Sequence, residues 1–188
     1  MNVVCRMKYV QYPPAPCALP ANVGSAHVKG VEAEAELHPV AGLEMDGSVS
    51  YLDFKYTKLN DPNNTLGISL GMVTPYTPKW KWSLGVQYEI PVSDKGSLTP
   101  RLDASYQSSV FANAINDPVY NEIEGYTVLN GKLTYRSMEG GWQASVQVTN
   151  LTNKLYYDTL FDLHGSAGYV NAQPAMPREW SVTFKKNF

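Results

Sequence analysis

Apolar and polar residues alternate with a period of two along most of this chain. That period marks strands whose two sides meet different surroundings. From Trp80 to Ile90, the residues Trp80, Trp82, Leu84, Val86, Tyr88 and Ile90 share one side, and Lys81, Ser83, Gly85, Gln87 and Glu89 share the other. Leu98, Leu102, Ala104 and Tyr106 oppose Thr99, Arg101, Asp103, Ser105 and Gln107. Val31, Ala33, Ala35 and Leu37 oppose Glu32, Glu34 and Glu36, and Trp142, Ala144, Val146 and Val148 oppose Gln143, Ser145, Gln147 and Thr149. The last run sets Trp180, Val182, Phe184 and Phe188 against Ser181, Thr183, Lys185 and Asn187.

The pattern predicts seven strands near 26–37, 42–57, 78–91, 96–110, 125–137, 141–150 and 178–188, with a more ragged eighth near 2–12. Strands in soluble proteins average about 5–6 residues, whereas strands that cross a membrane need about 9–11. The predicted runs have the longer length. Their connections fall into two classes that alternate: short at 38–41, 92–95 and 137–140, long near 13–25, 58–77, 111–124 and 151–177. Outer-membrane barrels have short periplasmic turns and long extracellular loops. The reading is therefore all-β: an antiparallel transmembrane β-barrel segment of seven or eight long strands. Residues 1–24 form a ragged strand and Pro-rich loop, and 25–188 the C-terminal part of the barrel.

Composition agrees. Charged residues make up 17% of the 188, against about 25% in typical soluble domains. Aromatics make up 12%, with 13 Tyr and 4 Trp. Tyr51, Phe54, Tyr56, Trp80, Tyr106, Tyr126, Tyr135, Trp142 and Trp180 fall near strand ends, where aromatic girdles flank the lipid band of a barrel. Glu32, Glu34, Glu36, Lys81, Glu89, Arg101 and Asp103 share the polar side, which a dry core could not hold and a wet or polar-filled lumen could. Mean hydropathy is −0.28, as expected when the two faces average out. A net charge of −2 with no basic stripe gives nucleic-acid binding no support. Cys5 and Cys17 could pair in an oxidising compartment or remain single. The start, MNVVCRMKYV, lacks the apolar run of an export signal, so the expectation is a piece of a longer protein or a misplaced start.

Four segments resemble TonB-dependent outer-membrane receptors. HVKGVEAEAELHPVAGLEMDGSVSYLDFKYT (27–57) resembles the family's recurrent hairpin, and TPKWKWSLGVQYEIP (77–91) the strand after it. NLTNKLYY (150–157) resembles the exit from the penultimate strand, and PREWSVTFKKNF (177–188) the closing strand with its terminal Phe. The resemblance implies a barrel of about 22 strands with a plugged lumen in the outer membrane of a Gram-negative bacterium. It implies energy-coupled import of a scarce nutrient, most often a ferric siderophore. TonB would act through a plug domain that these residues do not include. It also implies that Trp180, Val182, Phe184 and Phe188 are read by the outer-membrane assembly machinery through strand addition, with Lys186 departing from the usual apolar residue. The alternative is a small self-contained outer-membrane barrel with a structural or adhesive role.

Chemical motifs add little. Gly67–Gly71 matches a G-x-S-x-G elbow but lies in a long loop where no helical pattern follows. Gly125–Lys132 is one residue too long for a phosphate loop and has Leu133 where Ser or Thr should bind magnesium. His27, His38 and His164 have no ligand-like spacing. The reading is a non-enzyme with no catalytic, cofactor or metal residues and no cofactor. Ligand contacts are sought in the long loops, the most aromatic of which carries Tyr156, Tyr157, Phe161, His164 and Tyr169.

Overall fold

A computed structural model describes residues 24–61, 63–64, 67–138 and 141–187. The strands in chain order are β1 (Gly24–Leu37), β2 (Leu43–Leu59), β3 (Trp80–Tyr88), β4 (Ile90–Pro91), β5 (Gly96–Gln107), β6 (Val110–Phe111), β7 (Glu122–Ile123), β8 (Tyr126–Ser137), β9 (Trp142–Thr149), β10 (Tyr157–Asp162), β11 (Val170–Pro174) and β12 (Glu179–Lys186). One sheet runs β1-β2-β3-β5-β8-β9-β12, with β4 continuing β3 against β5 after the break at Glu89. Every pairing is antiparallel between strands that follow one another along the sheet. The seven expected strands are all present. The expected strand at 2–12, Cys5, Cys17 and Phe188 lie outside the described residues.

The short connections, after β1, β4 and β8, leave one end of the sheet, and the long ones, after β2, β5 and β9, leave the other. Gly42 shows how the first short turn closes. Its φ is +82°, and a Cβ there would lie 2.8 Å from the Glu89 carbonyl oxygen. That conformation and that clearance suit glycine alone. β1 and β12 lie at the two ends of the path and run in the same direction, so the seven strands form an open sheet.

Residues directly opposite in an antiparallel pair share a face. The register therefore carries each strand's alternation across the whole sheet. One row passes from Ala33 through Val49, Trp82 and Tyr106 to Thr127. Another passes from Val86 through Leu102 and Gly131 to Val148 and Trp180. This face stays uncovered: Val182 is 78% exposed, Val31 69%, Trp180 67% and Phe184 66%. Among the described residues, the buried apolar ones are Val110, Ile123, Val128 and Val148. Burying a Val, Leu or Phe side chain is worth about 1.5–3 kcal/mol, which the exposed residues of the band forfeit in water. In hydrocarbon none of it is lost.

The opposite face is polar and concave. Glu44, Gln87, Arg101, Lys132 and Gln143, from β2, β3, β5, β8 and β9, all border one cavity of about 540 Å³. The alternation inverts beyond Tyr51. Above it, Leu52, Phe54 and Tyr56 fall on the polar side and Asp53 and Lys55 on the apolar side, because β2 runs on to Leu59 with no register shift until Ser25/Ala26. Phe54, Tyr56 and Tyr126 thus leave the expected girdle and face inward. Tyr126 sits opposite Gln107, itself opposite Lys81. The strands run beyond the apolar band, so end position alone does not tell which face an aromatic occupies.

Two of the long loops hold structure that the alternation does not show. β6 pairs with β7, and β10 with β11 around a single helical turn at His164–Ala167, closed by Gly168 at φ +77°. A two-residue ladder is too short to reveal a period.

Candidate functional site

The polar face and the loops above it form one connected surface. At the short-turn end its organising group is Arg101. Its Nη2 lies 2.7 Å from Asp46 Oδ1 and 2.7 Å from Asp103 Oδ1, and its Nε donates to Asp103 Oδ1 at 2.9 Å. Beside it, Gln87 Nε2 donates to Glu44 Oε2 at 2.8 Å. Lys132 and Arg136 border the same cavity. This is a wall of fixed charges suited to water or to a polar occupant.

At the long-loop end lies a second cavity of about 470 Å³, bordered by Ser105, Tyr126, Val128, Asn130, Asn150 and Tyr156 among others. The rings of Tyr126 and Tyr156 are 4.2 Å apart and tilted by 33°. Burial, aided by the nearby Asp158 carboxylate, pushes the Tyr156 phenol above its ordinary range. The pair presents two phenols, with the Asn130 amide and the Ser105 hydroxyl nearby. That combination can stack on a flat ring and hydrogen-bond its substituents.

Asn150 fixes the loop over this cavity. It is 3% exposed and adopts φ +50°, a conformation asparagine tolerates better than most residues. Its Nδ2 donates to the carbonyls of Lys154 and Met176 at 2.9 and 3.2 Å, and its Oδ1 accepts from the Lys154 N–H at 2.8 Å. Three residues on, Asn153 Oδ1 accepts from the Arg178 N–H at 3.2 Å. The loops are also tied to each other. Asn116 Oδ1 and Nδ2 meet the N–H and carbonyl of Val73, Tyr76 hydrogen-bonds Thr159, and the His164 ring stacks on Tyr120 at 3.9 Å.

Of the aromatic residues singled out in 151–177, Tyr156 alone borders the cavity. Tyr157 opens β10 opposite Pro174, Phe161 is 64% exposed, Tyr169 is 53% exposed, and His164 packs on Tyr120. Tyr126 and Asn150 also border the cavity, which the sequence pattern does not show. Tyr126 looks like a girdle residue until the register is known, and Asn150 looks like a turn residue until its partners are. Trp180, Val182 and Phe184 lie on the apolar face, opposite Val148, Val146 and Ala144. Lys186 lies opposite Trp142 at the end of that face, where a lysine can reach the interface. Gly67–Gly71 lies in a loop whose next element is β3, not the helix that a nucleophile elbow requires. Among the described residues no group of three potential ligands is placed to hold a metal.

Comparison with known proteins places this architecture. Three solved structures share the fold: the ferric yersiniabactin uptake receptor FyuA from Yersinia pestis (TM-score 0.74, 22% identity, 89% of this chain covered and 24% of that one), the ferric preacinetobactin receptor BauA from Acinetobacter baumannii (0.63, 22%, 87% and 22%), and the closed form of the ferric-catecholate import receptor Fiu from E. coli K12 (0.64, 21%, 97% and 23%). The chain thus spans less than a quarter of each. No curated protein matches the sequence. Residues 8–151 match the family described as "TonB dependent receptor-like, beta-barrel". The chain belongs to the TonB-dependent receptor-like β-barrel family, as a run of antiparallel wall strands joined by alternating short and long connections.

Proposed function

We propose that this chain forms part of the wall of an outer-membrane transporter that imports a scarce nutrient, a ferric siderophore being the best fit. The observation that carries the reading is the pairing of faces. A largely apolar face, much of it exposed, backs a charged wall across seven successive strands. The band contacts hydrocarbon. The wall, with Arg101 held between Asp46 and Asp103, faces the plug that fills such a lumen. Because the chain covers 22–24% of the receptors it resembles, import belongs to the complete protein. TonB reaches the barrel through the plug, which the described strands do not supply.

Tyr126 and Tyr156 contribute one side of the ligand vestibule on this reading, with Tyr157, Phe161, His164 and Tyr169 shaping the outer surface of the loop above it. The proteins named above include receptors for ferric chelates, one of them for ferric catecholates, and a phenol pair suits such flat, oxygen-rich ligands. The closing strand, with Trp180, Val182, Phe184 and Phe188, is proposed to engage the assembly machinery by strand addition. Nothing in this role is enzymatic.

The test is uptake of radiolabelled ferric siderophores, catecholate and mixed-ligand, by iron-starved cells carrying the complete receptor or its Tyr126→Ala/Tyr156→Ala variant. Loss of uptake with normal outer-membrane abundance supports the reading. Unchanged uptake of every chelate in cells lacking the receptor altogether would sink it.

A further inference from the structure

Among the described residues one pair of tyrosines brings its rings into contact, and it joins a strand to a loop. The Tyr126 and Tyr156 rings lie 4.2 Å apart and are tilted by 33°. Aromatic pairs usually keep their centroids about 4.5–7 Å apart, so this contact is a close one. Tyr126 opens β8, opposite Gln107 on β5. Tyr156 lies in the long connection after β9, one residue before β10.

The backbone around the pair is fixed on both sides. The Tyr156 carbonyl accepts from the Ala175 N–H at 2.9 Å, which ties it to the returning arm of the loop. The start of the loop is tied to β8 itself. The Leu151 N–H donates to the Leu129 carbonyl at 2.7 Å, and the Asn150 N–H donates to Asn130 Oδ1 at 3.0 Å. Both tyrosines are half-buried. They are thus shielded from tyrosines of other molecules, while a small oxidant can still reach them. Burial and the nearby Asp158 carboxylate keep the Tyr156 phenol protonated at neutral pH. An electron taken from it therefore leaves together with its proton.

A phenol that loses an electron and a proton becomes a phenoxyl radical, with spin on the ring carbons beside the oxygen. Two such radicals held in contact combine by forming a carbon–carbon bond between those carbons. The ring hydrogens displaced there move to the oxygens and restore both phenols. Two tyrosines have then lost two electrons and two protons in all. One molecule of peroxide takes these up and becomes two of water.

We propose that Tyr126 and Tyr156 form an oxidative cross-linking site, coupled into dityrosine by peroxide activated at redox-active iron. The link staples 150–178 to β8 and fixes one side of the cavity that both tyrosines border. A covalent cross-link removes conformational freedom from the segment it closes. The proposal stands on the ring contact and holds whichever ligand the cavity admits.

The test uses the complete receptor in isolated outer membranes, oxidised by illuminated ruthenium tris-bipyridyl with persulfate. Persulfate accepts the two electrons and becomes two sulfates. The readouts are the blue fluorescence of dityrosine and the masses of proteolytic peptides, in which a linked pair weighs two hydrogens less than its parts. The expected result is a linked pair joining the Tyr126 and Tyr156 peptides on a receptor that still migrates as a monomer. Tyr126→Phe and Tyr156→Phe each keep the ring and should each abolish that pair. Tyr88→Phe/Tyr169→Phe removes two exposed phenols and should leave it intact. Coupling at other tyrosines with none between Tyr126 and Tyr156 overturns the proposal. Equal yield of the pair in receptor unfolded in urea before oxidation also overturns it, because chance encounter would then suffice. Peroxide with a ferric chelate in place of the ruthenium couple should give the same pair, and its absence there overturns the assigned oxidant. Hydrogen exchange across 150–178 should slow in the linked receptor, and unchanged exchange overturns the staple.

Discussion

Arg101 on β5 reaches over β3 to place its guanidinium 2.7 Å from Asp46 on β2, crossing the backbone at Gly85. Asp46, Gly85 and Asp103 lie in one row across three strands, all on the inner face. A Cβ on Gly85 would overlap Arg101 Nη2 and come within 2.7 Å of both Asp46 carboxylate oxygens. The glycine is thus the floor on which the ion pair rests.

Gly85→Val should displace the guanidinium and cost about 1 kcal/mol, the ceiling for a partly exposed ion pair, plus the strain of overpacking. Arg101→Met should cost a similar amount by leaving two carboxylates facing each other. The double variant should cost less than the sum, because the clash and the pair involve the same atoms. The thermal midpoint of the heat-modifiable band, measured for the barrel containing these strands, reads all three. Strict additivity would mean that Gly85 plays no part in seating Arg101.

Val182 and Thr183 are neighbours on β12, and both are exposed. In a water-soluble sheet, arginine would be tolerated at either. Here Val182 lies in mid-band opposite Val146, and Thr183 on the inner face opposite Ser145. Val182→Arg should destabilise the barrel by about 2–4 kcal/mol, the cost of a cation near the bilayer midplane, while Thr183→Arg stays near zero. Comparing the amounts of folded protein in outer-membrane fractions separates the two. Equal tolerance at both sites would contradict the lipid-facing assignment.

Asn150→Ala removes both side-chain donors and the acceptor that tie 150–178 to the sheet, and leaves the carbonyls of Lys154 and Met176 without them. A local loss of about 2 kcal/mol is expected. Asn150→Gly, which keeps the positive φ accessible, should lose the clamp but not the backbone turn. Hydrogen exchange should speed up across 150–178 in both variants while β8 and β9 stay protected. Uniform loss of protection would show that Asn150 holds the sheet, not the loop.

The Tyr156 phenol is held above its ordinary value of 10.0 by burial first and by Asp158 second. The protonated form is therefore the one the folded loop favours. The stability it lends is complete below the ordinary tyrosine value and is lost as pH rises past that value through the raised one. Loop protection should fall in strongly alkaline solution, and Tyr156→Phe should carry it to higher pH. An ultraviolet titration of the phenolate, followed alongside protease sensitivity of 150–178, tests the link.

The strands and their order were legible because alternation records directly which side of a residue meets lipid. A one-residue slip would turn every charge of Glu32, Glu34 and Glu36 into the apolar band, so the pattern tolerates one register. The short and long connections fixed the direction of each strand. Tertiary structure decided what sequence periodicity cannot encode. Contacts between distant segments, such as Tyr126 with Tyr156 or Asn150 with Met176, have no period. Local alternation also cannot say where lipid ends. Phe54, Tyr56 and Lys55 invert the apolar/polar order of the residues below them, and the unshifted register of β2 carries those aromatics to the inner face and the lysine to the outer one. Medium is a property of position in the assembled wall, and position exists only once the strands are paired.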